Sequence, residues 1–183
     1  MNPFEYEAGY IEIGLEQFKP YLLSGEVYWN LGARNPKGQP PYPQLTLGNM
    51  LLAAAKLGQG KQAPASAAEL LARLDQFREE WASAWKGKAG KEFGVRLRQW
   101  TRFLDSLSGG DGAKAALKSE VRGRAVLQLL AAEMEGAEAE LAELAVQDAR
   151  FRRLTEEGDF LWDEALAGGF KPESYWFLYR KAK

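Results

Sequence analysis

Apolar positions recur at helical spacing along most of the chain, most clearly between residues 66 and 154. Leu70, Leu74, Phe77 and Trp81 fall at steps of four and three, which predicts a helix with one apolar face. Ser66 and Glu69 precede this stripe at the spacing of a capping box, in which hydroxyl and carboxylate each take a first-turn amide. The helix is expected to run from Ala67 to near Trp85. The segment Lys86-Gly87-Lys88-Ala89-Gly90-Lys91 interrupts the pattern, and its two close glycines predict a tight turn. A second stripe follows: Phe93, Leu97, Trp100, Leu104 and Leu107.

Beyond a loop at 108–112, with Asp111 as the expected N-cap, a long helical pattern carries Leu117, Val121, Leu127, Leu130, Met134, Ala137, Leu141, Leu144 and Phe151. From Leu127 to Leu144 the spacing is heptad-like, the seam of an antiparallel bundle or coiled coil. Gly136 is the point where it should bend or split. Asp148 falls on the seam, and the simplest reading turns the stripe there so that Asp148 reaches water. Gly158 is expected to end this helix and Asp159 to cap a short one from Phe160 to Ala167.

Ahead of residue 66, Phe4, Ala8, Ile11, Leu15, Phe18 and Leu22 predict a helix to about Lys19. Gly9 and Gly14 oppose it by about 1 kcal/mol each relative to Ala. Pro20 must break or restart it, and a short second helix would carry Leu23, Val27 and Leu31. Residues 32–45 form a Pro-rich loop, extended at Pro40-Pro41-Tyr42-Pro43, that reads as a connector laid over its own domain. Thr46 can cap the next helix, which runs from Leu47 to Gly58. Gly58-Gln59-Gly60-Lys61-Gln62-Ala63 spells a relaxed dinucleotide fingerprint, but a helix rather than a strand precedes it and Pro64 follows, so the match carries no site. At the other end, Tyr175 to Tyr179 are large and apolar in succession. They must dock, and a helix starting at Pro172 is favoured over a strand.

These patterns predict an all-α fold: a single-domain antiparallel helical bundle of about five to seven helices over 1–183. Within it, 1–31 is a kinked helix, 32–45 the Pro-rich loop, 46–157 the bundle, and 158–183 a short helix with a docked aromatic tail. The chain of 183 residues suits one full core. Composition then narrows the chemistry. With no Cys and no His, the chain has no disulfide, no thiolate nucleophile, no Ser-His-Asp triad and no His-held zinc or haem. No cofactor and no metal are expected. A net charge of -1 gives no overall attraction to nucleic acid or a membrane surface, and no apolar run approaches the ~20 residues that span a bilayer. The amino end has neither the basic nor the apolar region of a secretory signal, so a cytoplasmic location is expected.

Three functional readings follow. The leading one is a non-enzymatic helical protein whose partner is another protein or a second copy of itself. Its candidate surface is Tyr28, Trp29, Tyr42, Tyr175, Trp176, Phe177 and Tyr179. The second is an anion- or nucleic-acid-binding accessory protein using Lys86, Lys88, Lys91, Arg96, Arg98 and Arg102, with Trp100 close by and Glu92 as local counter-charge. The acidic run Glu133, Glu135, Glu138, Glu140 and Glu143 is an opposite-sign partner for that stretch, within the fold or on a second copy. The third is a carboxylate-based bundle enzyme or small-molecule binder around Glu5, Glu12, Glu16 and Glu26, beside Tyr28 and Trp29.

Overall fold

The first apolar stripe forms α1 (Pro3–Glu16), which ends where Gln17 leaves helical geometry. The computed structural model describes residues 3–32, 39–58, 63–107 and 109–183. α2 (Phe18–Leu23) starts at once, with Pro20 in its first turn, where a missing amide breaks no intrahelical bond. Val27 and Leu31 lie outside any helix, a correction to the expected second helix. Ser24 stops α2, since both its amide and its hydroxyl donate to Tyr21 O. The Gln17 side chain then holds the chain beyond, accepting from Trp29 Nε1 at 2.8 Å and donating to Leu31 O at 3.1 Å. Trp29 and Leu45 form an antiparallel bridge that closes the neck of the Pro-rich loop. Its residues 33–38 lie outside the described residues.

α3 (Leu47–Gly58) begins buried, so its first amides need protein acceptors. They have them. Leu47 N donates to the Tyr21 hydroxyl at 2.9 Å, Gly48 N to the Glu92 carboxylate at 2.8 Å, and Asn49 N to Thr46 Oγ1 at 3.0 Å. Thr46 is thus the cap its sequence position predicts. Gly9 and Gly14 explain why α1 tolerates them: a Cβ on Gly9 would sit 2.5 Å from the Tyr42 hydroxyl, and one on Gly14 2.7 Å from Met50 Sδ. Their missing side chains let the loop and α3 lie close against α1. Most of the fingerprint match after Gly58 falls on residues 59–62, outside the described residues.

α4 (Ala67–Glu80) forms where the pattern places it, but without the capping box. Ser66 is already in helical conformation, Ala67 N bonds back to Pro64 O, and the Ser66 side chain makes no cap. The expected turn at 86–91 is absent as well. The break comes earlier, at Trp81, and α5 (Ala82–Leu107) runs unbroken through Gly87 and Gly90. Tertiary burial overrides the glycines: Trp85, Ala89, Phe93, Leu97, Trp100 and Leu104 are all buried on one continuous stripe.

α6 (Asp111–Ala131) begins one residue earlier than expected, with Gly110 as N-cap and Asp111 in the first turn. The long helical pattern splits at Gly136, as its sequence position predicts: α6 ends at Ala131, the next helix starts at Glu138, and Gly136 lies between them in left-handed geometry at φ +64°. α7 (Glu138–Leu154) then returns, burying Leu144 and Phe151. Asp148 does not simply reach water. It accepts two bonds from the Arg124 guanidinium, at 2.7 and 2.8 Å, and Arg124 also lies 4.5 Å over the Phe177 ring. Arg124 is buried, so this bidentate pair is what makes its position on α6 tenable.

α7 stops at Leu154, before Gly158, and the chain passes into β1 (Thr155–Glu157). Asp163, rather than Asp159, caps the next short helical turn, Glu164–Leu166, accepting from Ala165 N at 2.9 Å. The tail takes both forms weighed for it. Pro172 opens α8 (Pro172–Tyr175), a 3-10 turn covers Trp176–Tyr179, and β2 (Arg180–Ala182) pairs antiparallel with β1, Thr155 opposite Ala182 and Glu157 opposite Arg180. The Arg180 guanidinium secures the join, donating to Thr155 Oγ1 at 3.0 Å and to Thr155 O at 2.6 Å.

Helix, the 3-10 turns included, accounts for 71% of the described residues, with eight α-helices and one two-stranded sheet among them, so the fold is all-α. Within the chain two compact units can be distinguished, Met1–Glu92 and Phe93–Lys183, with the boundary inside α5. Among the described residues no helix is long and apolar enough to cross a membrane.

Removing one partner of a buried pair leaves the other charge unmet. Asp148→Ala is therefore expected to lower the unfolding free energy by about 3 kcal/mol in urea denaturation. The double replacement Arg124→Met with Asp148→Leu should lose less than Asp148→Ala alone.

Candidate interaction surface

The basic stretch does not present six equivalent cations. Lys88 is 4% exposed and donates from Nζ to Ser24 O at 3.0 Å, to Ser24 Oγ at 3.1 Å and to Glu26 O. Its ammonium also lies 4.3 Å over the Tyr21 ring. Burial pushes Lys88 below the usual lysine range, and neighbouring Lys91 adds to the effect. Lys91 donates to Gly25 O at 2.8 Å. Together they pin the chain after α2 to α5, and the groove of about 430 Å³ beside them is lined by Leu22, Ser24, Ala84, Gly87, Lys88 and Lys91. Lys86, Arg98 and Arg102 are exposed, and Arg96 is half-buried. Glu92, the local counter-charge in the sequence, is fully buried on the α3 amide instead.

The candidate aromatics are mostly engaged in packing. Tyr42 stacks at 5.0 Å from Tyr6 and 5.8 Å from Tyr10, whose hydroxyls donate to Pro41 O and Gln44 O. Tyr28 and Trp29 are half-buried. In the tail, Phe177 is wholly buried, Trp176 packs on Phe151 at 5.9 Å, and Tyr175 on Phe170 at 4.8 Å. The Tyr179 hydroxyl donates to Phe170 O at 2.9 Å. Desolvation raises the Tyr175 and Tyr179 pKa values, with Glu164 and Glu173 adding at Tyr179. The structure leaves Glu5, Glu12, Glu16 and Glu26 exposed rather than gathered in a core, and no cluster of three or more acidic groups among the described residues could hold a metal ion.

The surface that sequence reasoning missed is the outer side of α7. Leu141 is 41% exposed and Val146 63%, and Ala139, Ala142, Ala145 and Ala149 are exposed with them. On a helix, 142, 145 and 149 recur at steps of three and four and form a stripe, flanked by Leu141 and Val146. Charge along α7 is segregated: Glu138, Glu140 and Glu143 in its first half, and Arg150, Arg152 and Arg153 in its second. Arg150 is held by Asp105 at 2.7 Å, and Arg152 lies 3.6 Å over the Trp176 ring. In the sequence the Ala stripe is masked by the larger apolar residues interleaved with it, Leu141 and Leu144, which set the stronger helical period.

No known family, curated protein or solved structure matches the chain.

Lys88→Met is expected to cost about 2 kcal/mol in chemical denaturation, because the Ser24 and Glu26 carbonyls lose their buried donor. Tyr175 gives a test at alkaline pH. Its pKa is higher folded than unfolded, so its contribution is complete below the ordinary tyrosine value near 10 and lost as pH rises through the folded value. Between pH 9 and 11, unfolding free energies of the Tyr175→Phe chain should fall less steeply than those of the native chain.

Proposed function

We propose that this protein is a self-associating helical interaction module, and that the outer face of α7 is its contact with a second copy. The observation that carries the reading is that this face is complementary to its own reverse. When two α7 helices are laid antiparallel about a two-fold axis between residues 145 and 146, Ala142 faces Ala149, Ala145 faces Val146, and Glu138 faces Arg153. Small residues along the seam allow the axes to approach to about 8 Å, the close end of helix packing. Reversal also brings the acidic half of each helix against the basic half of the other, and sets the two helix dipoles in opposition. A contact related by such an axis is closed, so it makes a dimer and stops there.

Exposed apolar side chains favour this use of the face. A helix of this length spans about 25 Å, and Leu141 and Val146 left in water are the kind of patch that marks association rather than a solvated surface. Pairing would remove them from water on both copies at once. The Glu138 and Arg153 contacts lie at the rim and set orientation more than affinity.

Sedimentation equilibrium of the full chain should show a dimer whose dissociation constant rises on Ala145→Arg, a substitution at an exposed position that leaves the monomer folded. Glu138→Arg and Arg153→Glu should each weaken the dimer, and the two together should restore it. A monomer at all concentrations, or a dimer indifferent to Ala145→Arg, overturns the assignment.

A further inference from the structure

A cavity of about 370 Å³ lies where α7 passes into β1, with Arg152, Glu157, Pro172, Trp176, Tyr179 and Arg180 on its walls. That size falls at the lower end of small-molecule pockets, roughly 300–1,000 Å³. Hydrogen bonds fix the walls. Gly158 N donates to Tyr179 O at 3.0 Å, the Tyr179 hydroxyl to Phe170 O at 2.9 Å, and Arg180 to the carbonyls of Arg152 and Thr155 at 3.2 and 2.6 Å. Gly158 also lines the cavity, and a Cβ there would lie 3.2 Å from the Lys181 backbone nitrogen, so glycine is what lets the chain pass so close at this corner.

Two opposite charges stand on these walls without partners. The Arg152 guanidinium carbon lies 3.6 Å from the centre of the Trp176 ring, the distance of face-to-face stacking. A stacked guanidinium keeps its N–H donors in its own plane, clear of the ring. Among the described residues those donors make no hydrogen bond or ion pair, since what Arg152 gives Arg180 is its backbone carbonyl. Glu157 is the second. It stands directly opposite Arg180 in the ribbon, so both side chains leave the same face, where a cross-strand ion pair is the ordinary outcome. The opposite face makes such a pair, Lys181 to Glu156 at 3.2 Å. Arg180 turns instead to Thr155 Oγ1 and the two carbonyls, and among the described residues no donor reaches the Glu157 carboxylate.

We infer that this cavity binds a free α-amino acid with a large apolar side chain, its carboxylate held by Arg152, its ammonium by Glu157, and its side chain against Pro172 and Tyr179. The paired N–H donors of a guanidinium match both oxygens of a carboxylate at once, and stacking on Trp176 holds them ready in one plane. An acid without an ammonium would meet Glu157 as a like charge, and an amine without a carboxylate would meet Arg152 and Arg180 in the same way. A zwitterion satisfies both walls, so the cavity selects by repulsion as well as by attraction. The volume is that of about twelve water molecules, enough for one such molecule. Arg180 donates nothing to the ligand in this arrangement. Its bonds to Thr155 and Arg152 hold the walls in place.

The test is calorimetric titration of the full chain with L-phenylalanine and L-leucine, beside N-acetyl-L-phenylalanine, which lacks the ammonium, and L-phenylalaninamide, which lacks the carboxylate. At least one of the two amino acids should bind saturably. Each blocked form should bind roughly tenfold more weakly than phenylalanine, the loss of one charged hydrogen-bonded contact. Arg152→Gln should weaken phenylalanine by a similar factor. Glu157→Gln should do the same and so remove the advantage of phenylalanine over its N-acetyl form. Both positions are exposed, and both variants should keep the native far-UV spectrum and Tm. No saturable binding of either amino acid, equal affinity for phenylalanine and its blocked forms, or folded variants that bind as the native chain does overturns the inference.

Discussion

A charge carried beneath the surface must find its partner there, and the three most deeply buried charges among the described residues set the positions of the helices around them. Glu92 meets the amide at the start of α3, Lys88 meets the carbonyls that follow α2, and Arg124 meets Asp148 across α6 and α7. Each bond joins segments far apart in sequence, and none can be moved by one residue without stranding a charge in the interior. Hydrophobic burial supplies most of the driving force, but apolar stripes tolerate sliding and rotation. The buried charges do not, and so they specify which of several compact arrangements is adopted.

This accounts for which parts of the fold were legible. Stripes of Leu, Phe and Trp gave the helices α1, α3, α4 and the second half of α5, and Thr46 announced a cap that forms. Reading failed where local chemistry competed with burial. Gly87 and Gly90 argue for a turn in isolation, yet Ala89, midway between Trp85 and Phe93, continues the apolar stripe and the helix continues with it. Ser66 and Glu69 have the spacing of a capping box, but the turn from Pro64 has already put Ser66 in helical conformation. Asp148 could be recognised as an apolar-seam intruder, but its partner on another helix could not, because pairing at that separation has no sequence period.

The candidate surfaces divide along the same line. Aromatic residues were the obvious candidates for contact, and the tail's are largely taken into the packing of its own unit. Alanine attracts little notice, since it fits both core and surface. Its placement on the outer side of α7, between an acidic and a basic end, has meaning only once the inner side has been occupied by Leu144 and Phe151.

The pairing of β1 with β2 bears on how the chain is made. The contacts of Glu92 and Lys88 described above join residues within 1–92, so these bonds need no residue made later. The second unit is different. Its two strands are residues 155–157 and 180–182, and the Arg180 guanidinium that holds them must reach back to Thr155. Until the ribosome has passed residue 182, Thr155 and the end of α7 have no strand to receive them. The strand pair, and the Arg180 contacts that hold it, can therefore close only after residues 180–182 have been made.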